Sequence, residues 1–142
     1  MATMMMLALF CFSFSFAETP PEVARFLDSF IDSFNDLEWD RFRDHFSDEA
    51  TVFFPAPYPG ERASGRAAVE DGFRGVFERW RTERPGPPYL DIRPLDVEVR
   101  SYGEVHLVTF HLADGETRSR RTLVLGKVEG ELKILHLHAS SQ

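Results

Sequence analysis

The sequence is poor in cysteine and in basic side chains, and its hydrophobic runs are short. Its 142 residues include one cysteine and 16 basic against 23 acidic side chains, which gives a net charge of −7. Because nucleic-acid binding relies on a basic face that displaces counterions, this balance predicts no nucleic-acid partner. The uncharged run at residues 4–16 is shorter than the about 20 residues that a transmembrane helix needs.

This run is typical of the hydrophobic part of a secretory signal. The small residues Ser15 and Ala17 stand where a signal peptidase reads the chain, and the charged Glu18 follows. We therefore predict a signal peptide at residues 1–17, export to the periplasm or the cell exterior, and no membrane contact after cleavage. A different start or an uncleaved anchor is the alternative, because Met1-Ala2-Thr3 has no basic side chain.

Cleavage would also remove Cys11, the single cysteine. The predicted mature domain, residues 18–142, then has no cysteine, which excludes disulfides, thiol catalysis and cysteine-bound metals. The chain also has neither a Gly-x-Ser-x-Gly sequence nor a glycine-rich phosphate loop. The motifs therefore predict neither a serine hydrolase nor a nucleotide-binding protein.

Apolar residues recur at helical spacing in the first half of the domain. One stripe predicts a long amphipathic helix: Val23, Phe26, Leu27, Phe30, Ile31 and Phe34. Thr19, Asp36 and Ser64 are candidate N-caps of this helix and of two more. Within the third helix, Gly72 and Gly75 predict a close approach of another part of the chain.

The second half of the domain alternates as strands do. A short strand is expected at Thr51–Phe54. Four longer strands are expected at Leu90–Arg100, Val105–Ala113, Thr117–Val128 and Leu132–Ser140, divided by turns at 101–103, 114–115 and 129–130. Helices followed by an antiparallel meander predict one α+β domain, with the helices covering one face of the sheet.

The hairpin at Glu129-Gly130 groups the polar side chains. A two-residue turn places Leu123 opposite His136 and Arg121 opposite His138, so that Arg121 and both histidines share one face. A β-bulge would change this register. Both faces of the sheet are apolar, and the helices cover only one. We therefore expect a homodimer through the other face.

Four segments resemble one family of folds: Ser64-Gly65-Arg66-Ala67-Ala68, Phe77-Glu78-Arg79-Trp80, Arg121-Thr122-Leu123-Val124-Leu125 and Ile134-Leu135-His136-Leu137-His138-Ala139-Ser140. They are similar to the SnoaL-like branch of the nuclear transport factor two-like superfamily, which is related to the association domain of calcium/calmodulin-dependent protein kinase II. The resemblance covers about residues 20–140. Leu132 stands where many members have tryptophan.

This resemblance implies a cone-shaped α+β fold, in which three N-terminal helices pack on a curved, mainly antiparallel sheet. It also implies a pocket at the open end of the cone. Members of the superfamily include isomerases, dehydratases, epoxide hydrolases and polyketide cyclases, together with non-catalytic binding and assembly modules. The fold alone therefore leaves the function open.

A metal site is the first candidate chemistry. His136 and His138 lie two apart on a strand, so that their rings point the same way, but a catalytic zinc needs a third ligand. No carboxylate is placed beside them, and Arg121 on the same predicted face would repel a cation. We therefore predict no metal and no other cofactor.

Acid–base catalysis and anion binding are the other candidates. A pocket histidine can act as a general base, with Tyr58 as a further polar group, whereas Asp28 and Asp32 flank the apolar stripe and are expected in solvent. Arginines cluster on one strand at Arg118, Arg120 and Arg121, and their forked donors suit a carboxylate or phosphate.

We therefore expect an exported domain that binds a small hydrophobic or anionic molecule. The alternatives are a lyase or isomerase that uses a pocket histidine as general acid or base, and a non-catalytic dimerisation or assembly domain. Aromatic residues are expected in the core or the pocket wall: Phe26, Phe30, Phe53, Tyr58, Phe73, Phe77 and Trp80. The predicted ligand-binding residues are Tyr58, Trp80, Thr109, His111, Arg121, His136 and His138.

Overall fold

The structure is a computed structural model that describes residues 18–55, 61–114 and 117–141. The predicted signal peptide at residues 1–17 lies outside the described residues. The elements follow in the order α1 (Pro21–Asn35), α2 (Trp39–Asp44), β1 (Phe46–Phe53), β2 (Arg62–Ser64), α3 (Arg66–Glu83), β3 (Arg93–Tyr102), β4 (Val105–Asp114), β5 (Thr117–Val128) and β6 (Glu131–Ser141). Among the described helices, none has the length and hydropathy to cross a membrane.

The six strands form one curved sheet that does not close, in the order β2-β1-β6-β5-β4-β3. Strands β3 to β6 form the predicted antiparallel meander. Strand β1 pairs parallel to β6, and the short β2, which the sequence did not predict, pairs antiparallel to β1. The prediction of an α+β fold with helices on a mainly antiparallel sheet is confirmed.

The turn between β5 and β6 has the predicted form. Both central residues have positive φ, at 52° for Glu129 and 84° for Gly130, as a two-residue hairpin turn requires. Val128 faces Glu131, and Leu125 faces Ile134, as expected. The register therefore starts as predicted and departs from the prediction only further along β6.

The predicted N-caps are wrong for all three helices. Pro20, Glu38 and Gly65 occupy these positions, and none of them makes a side-chain cap hydrogen bond. Ser64 cannot cap α3 because it lies in β2 opposite Thr51. The left-handed φ of 85° at the following Gly65 then turns the chain from strand to helix.

The core is an aromatic cluster between the helices and the sheet. Phe42 of α2 lies at its centre, 1% exposed. Its ring centroid is 4.8–5.5 Å from those of five other phenylalanines, namely Phe30, Phe34, Phe46, Phe73 and Phe77. Such contacts contribute beyond the area that they bury, by about 0.5–1.5 kcal/mol per pair. The helical phenylalanines thus fill the space that the curved sheet encloses.

The two faces of the sheet differ in what covers them. The inner face belongs to the same core cluster as the helices and carries buried side chains: Val108, Phe110, Leu112, Leu123, Leu125, Ile134, Leu137 and Ala139. The outer face carries the alternate residues, including Leu107, Thr109, Val124 and Leu135, which are half-buried. The prediction that the helices cover one face is confirmed.

Candidate functional site

A cavity of about 260 Å³ lies between the inner face and helices α1 and α3. Its wall is almost entirely apolar, and six of its residues are phenylalanines. Trp80, Phe73 and Phe30, expected in the core or the pocket wall, all line it. Among its described lining residues, Arg79 and Arg121 alone carry a charge. The site therefore combines a hydrophobic wall with two guanidinium groups.

Arg121 enters the cavity because strand β5 alternates. Leu123 and Leu125 point to the inner face, and Arg121 lies two residues before Leu123. Its Nη1 donates a hydrogen bond of 2.8 Å to the carbonyl oxygen of Arg120. Burial lowers the pKa of Arg121 to about 10, so the group is still protonated at neutral pH. Among the described residues, no carboxylate forms an ion pair with it.

Arg79 occupies a different environment on helix α3. Its side chain is 53% exposed, and its Nε lies 3.8 Å from a carboxylate oxygen of Glu83. An exposed pair of this kind contributes little to stability and is easily rearranged. Arg79 therefore offers an exposed second positive charge at the cavity, whereas the charge of Arg121 is half-buried.

Gly72 and Phe54 shape another part of the wall. A Cβ atom at Gly72 would overlap the ring of Phe54, which lines the cavity. The predicted close approach is thus confirmed at Gly72. It is wrong at Gly75, because a Cβ there would meet nothing within 4 Å.

Four predicted pocket residues do not reach this cavity. Thr109, His111, His136 and His138 lie on the outer face of the sheet, opposite the cavity. Thr109 pairs with Thr122, and His111 pairs with Arg120, both on the side away from Arg121. Tyr58 lies outside the described residues. Of the predicted binding residues that the structure describes, Trp80 and Arg121 alone line the cavity.

A β-bulge explains why the histidines were misplaced. Leu125 faces Ile134, but the next pair is Val124 with His136, so that Leu135 is an extra residue. Leu135 lies over Gly126, where an added Cβ would be 2.7 Å from its Cδ1. The predicted pairs of Leu123 with His136 and Arg121 with His138 are therefore wrong.

The two histidines have partners of their own on the outer face. His136 Nδ1 lies 2.7 Å from Thr51 Oγ1, and the ring of Phe53 lies 5.8 Å from that of His136 and 5.6 Å from that of His138. Burial, followed by the nearby charges of His138 and Arg62, lowers the pKa of His136. Phe53, expected in the core or pocket wall, thus packs on the outer face.

The described residues contain no group of three or more His, Cys, Asp or Glu side chains that could hold a metal ion. Arg121 lies on the other face from His136 and His138, so the repulsion expected from it does not act there. The pair still provides only two ligands, fewer than a zinc site needs.

Several lining residues were not among the predicted binding residues. They include Arg79, Phe54, Leu112, Leu137 and Ala139. Arg79 lies three residues after Val76 on the helix, so it borders the apolar stripe that contains Phe73 and Trp80. This helical spacing is the sequence pattern that indicates Arg79 as a lining residue. Leu137 and Ala139 could not be placed because the bulge reverses the faces of β6 beyond Ile134.

The sequence profile of the SnoaL-like domain matches residues 23–142. The chain belongs to the SnoaL-like domain family. No curated protein matches it. The SnoaL-like assignment agrees with the fold, because this domain shares its architecture with solved structures of NTF2-like proteins.

Three of these structures illustrate the likeness. An NTF2-like protein of unknown function from Pseudomonas putida has a TM-score of 0.68 at 16% identity and covers 85% of this chain and 84% of its own. A candidate dehydratase of the NTF2-like family from Streptomyces avermitilis has a TM-score of 0.68 at 16% identity and covers 85% of this chain and 94% of its own. The CaMKII hub of S. rosetta has a TM-score of 0.63 at 19% identity and covers 89% of this chain and 98% of its own. At such identities the likeness shows the fold alone.

Proposed function

We propose that this SnoaL-like domain binds a small hydrophobic carboxylic acid in its cavity, with Arg121 as the partner of the carboxylate. The observation that carries the proposal is a protonated guanidinium in an apolar cavity, with no carboxylate partner among the described residues. The half-buried guanidinium has lost part of its hydration and has no anionic partner among the described residues, and an anionic ligand would offset that cost. Arginine can also donate two parallel hydrogen bonds to a carboxylate.

The dimensions of the cavity favour a small ligand. Its volume of about 260 Å³ lies just below the roughly 300–1,000 Å³ that is usual for ligand pockets. The aromatic wall suits an aryl or short alkyl group, and Arg79 provides a second cation on the exposed side of the cavity. A monocarboxylate with one ring, such as 4-phenylbutyrate, has this combination of charge and apolar surface.

The test compares 4-phenylbutyrate with 4-phenylbutyramide by thermal shift and calorimetry. We expect the acid to raise the melting temperature and the neutral amide to leave it unchanged. Arg121→Met keeps an apolar side chain but removes the charge, and it should abolish the shift. The matched control is Arg120→Met, which removes the same charge from the neighbouring residue on the outer face. A shift that survives Arg121→Met, or one that the amide also produces, would contradict the proposal. So would the absence of a shift with every arylcarboxylate and short alkanoate tried.

The cavity gives less support to a lyase or isomerase with a catalytic histidine. The chain has five histidines, and all lie within the described residues. None of them lines the cavity. Because a candidate dehydratase from Streptomyces avermitilis has a similar fold, a lyase or isomerase remains the alternative function. Binding is the function that the lining residues favour.

We also propose that two copies associate through the outer face, as expected from the sequence. The face exposes a continuous set of half-buried apolar side chains, including Phe53, Leu107, Val124 and Leu135. A hub is named among the similar structures, so this fold occurs in an assembly protein. Sedimentation analysis tests the proposal. Val124→Glu should shift the chain to monomer, and Val128→Glu, at the hairpin end of the same strand, should not.

Export remains a proposal based on residues 1–17 alone. It is tested by expressing the full chain and sequencing the amino terminus of the exported product. We expect the product to begin at Glu18. A product found only inside the cell with residues 1–17 intact would contradict it.

A further inference from the structure

A polar cleft, separate from the apolar cavity, lies between α1, α2 and the start of β6. It has a volume of about 690 Å³ and is lined mainly by polar side chains. Two of them form a serine–histidine pair, because Ser29 Oγ lies 3.1 Å from His45 Nε2. A nucleophile and a base at such a distance are the minimum arrangement for covalent acyl transfer.

The hydrogen bonds around His45 determine which nitrogen carries the proton. His45 Nδ1 lies 3.2 Å from the carbonyl oxygen of Phe42, which can only accept. Nδ1 must therefore donate, and in the neutral ring Nε2 is left with a lone pair. Ser29 is then the donor to Nε2, so its proton already points at the base.

The ring of His45 is also held in place. It is buried, with 9% of the residue exposed, and it packs edge-on against Phe26 and Phe30 at centroid distances of 5.1 and 5.6 Å. Burial is the largest influence on His45 and lowers its pKa, so that the ring is neutral near pH 7. A neutral, immobile imidazole is the form that can accept a proton from a hydroxyl.

Arg41 adds a positive charge to the same hydroxyl. Its Nη2 donates to Ser29 Oγ at 3.3 Å, while its Nη1 is fixed by Glu38 at 2.9 Å. A cation beside the oxygen favours the developing alkoxide and the oxyanion that follows attack. Ser29 thus has a base on its proton and a cation on its oxygen, and it lines an open cleft.

A second serine–histidine pair in the molecule also has a buried ring, that of His106, but its hydroxyl has no such cation among the described residues. Ser101 Oγ lies 2.8 Å from His106 Nδ1, as a cross-strand pair of β3 and β4. Within the described residues, no cationic side chain donates a hydrogen bond to Ser101. His106 Nε2 instead lies 3.7 Å from Glu22, which ties the start of α1 to the sheet. Ser101 therefore serves as an internal control.

We propose that Ser29 is a nucleophile for small carboxylic esters, with His45 as its general base. The Ser29 oxygen forms a bond to the ester carbonyl carbon while its proton moves to His45 Nε2. The ester C–O bond then breaks, and His45 gives the proton to the leaving alcohol. Water attacks the acyl-serine, loses a proton to His45 and releases the carboxylic acid as that proton returns to Ser29. The sum is ester plus water to acid plus alcohol.

The experiment uses the full chain and diisopropyl fluorophosphate, which phosphorylates activated serines with loss of fluoride. We expect mass spectrometry to find one modification, on the peptide that contains Ser29. Ser29→Ala should remove it, and Ser101→Ala should leave its rate unchanged. His45→Gln should slow it by about a hundredfold, the size of a general-base contribution. Arg41→Met should slow it as well, because the Ser29 oxygen loses the cation that donates to it.

Circular dichroism on each variant separates loss of reactivity from loss of fold. The wild-type reaction is decisive by itself, because it needs no substitution. The proposal is overturned if the wild-type chain shows no modification at Ser29 while a known serine hydrolase is modified in the same mixture. Modification at Ser101, or an unchanged rate in a folded His45→Gln variant, overturns it too.

Discussion

Arg121 and Ala139 face each other across β5 and β6, and both line the cavity. The smallest side chain of the β6 inner face thus stands beside the half-buried guanidinium. The space that a larger residue would occupy is left open next to the charge. This pair therefore sets how close a ligand carboxylate can come to Arg121.

Ala139→Leu should separate ligand binding from stability. The added side chain fills empty space, so we expect the unliganded domain to gain about 0.5–2 kcal/mol. The same side chain blocks access to Arg121, so the thermal shift with 4-phenylbutyrate should disappear. Ala113→Leu makes the same change on the outer face and should leave the shift intact. Full binding by Ala139→Leu would place the ligand elsewhere.

Gly72 and Gly75 offer a matched pair of substitutions on α3. Alanine favours a helix over glycine by about 1 kcal/mol. Gly75→Ala meets no neighbouring atom and should raise the free energy of unfolding by about that amount. Gly72→Ala must displace Phe54, which costs about 1–3 kcal/mol and cancels the gain. Urea unfolding measures both, and equal stabilisation by the two would disprove the close contact.

Phe42→Ala should be the most damaging single substitution in the core. Removing a fully buried phenylalanine costs about 3–5 kcal/mol, because the cavity left behind collapses only in part. Domains of this size have a total stability of about 5–15 kcal/mol, so partial unfolding at 37 °C is expected. Tyr102→Ala, at a residue that is 63% exposed, should change stability by less than about 0.5 kcal/mol. Chemical denaturation followed by fluorescence gives both values.

Acidification should destabilise the domain through His45. Burial, and then the charges of Arg41 and Lys133, lower the pKa of His45 below its ordinary value of 6.5, against the opposing backbone hydrogen bonds. The unfolded chain therefore takes up a proton at a higher pH than the folded one. The stability that the neutral ring contributes is complete above about pH 6.5 and is lost as the pH falls toward the folded pKa.

The measurement is the urea midpoint of the wild type and of His45→Gln at pH 7.5 and 5.5. The variant should show a smaller fall in stability between these two values. The pKa of His136 is lowered as well, so this residue acts in the same direction. The double variant with His136→Gln should therefore show a still smaller fall in stability between the two pH values. An identical fall in wild type and His45→Gln would show that His45 does not titrate as argued.

Local patterns predicted most of the fold. The bounds of β5, Thr117–Val128, were predicted as observed, because alternation and two turns define them. Strand β1 begins at Phe46 rather than at the predicted Thr51, because its pairing with β6 already starts at Phe46. The three-residue β2 has no pattern of its own and forms only because β1 offers an unpaired edge.

The site was less predictable than the fold. Trp80 and Arg121 follow from spacing and alternation within one element, and both reach the cavity. The histidines depend on the register between two strands, which a single extra residue changes. Asp28 and Asp32 are exposed, as the amphipathic pattern of α1 indicated. The wrong site predictions therefore come from the register between two strands and not from the alternation within one strand.

Because of the bulge at Leu135, the number of residues in β6 determines which of its side chains face the cavity. Shortening β6 by one residue before His136 would turn His136 and His138 inward, beside Arg121, and send Leu137 and Ala139 outward. An insertion or deletion of one codon would then exchange an apolar cavity lined by Arg121 for one that also holds two imidazole rings. Members of one fold can thus differ in reaction type without any difference in the side chains that they carry.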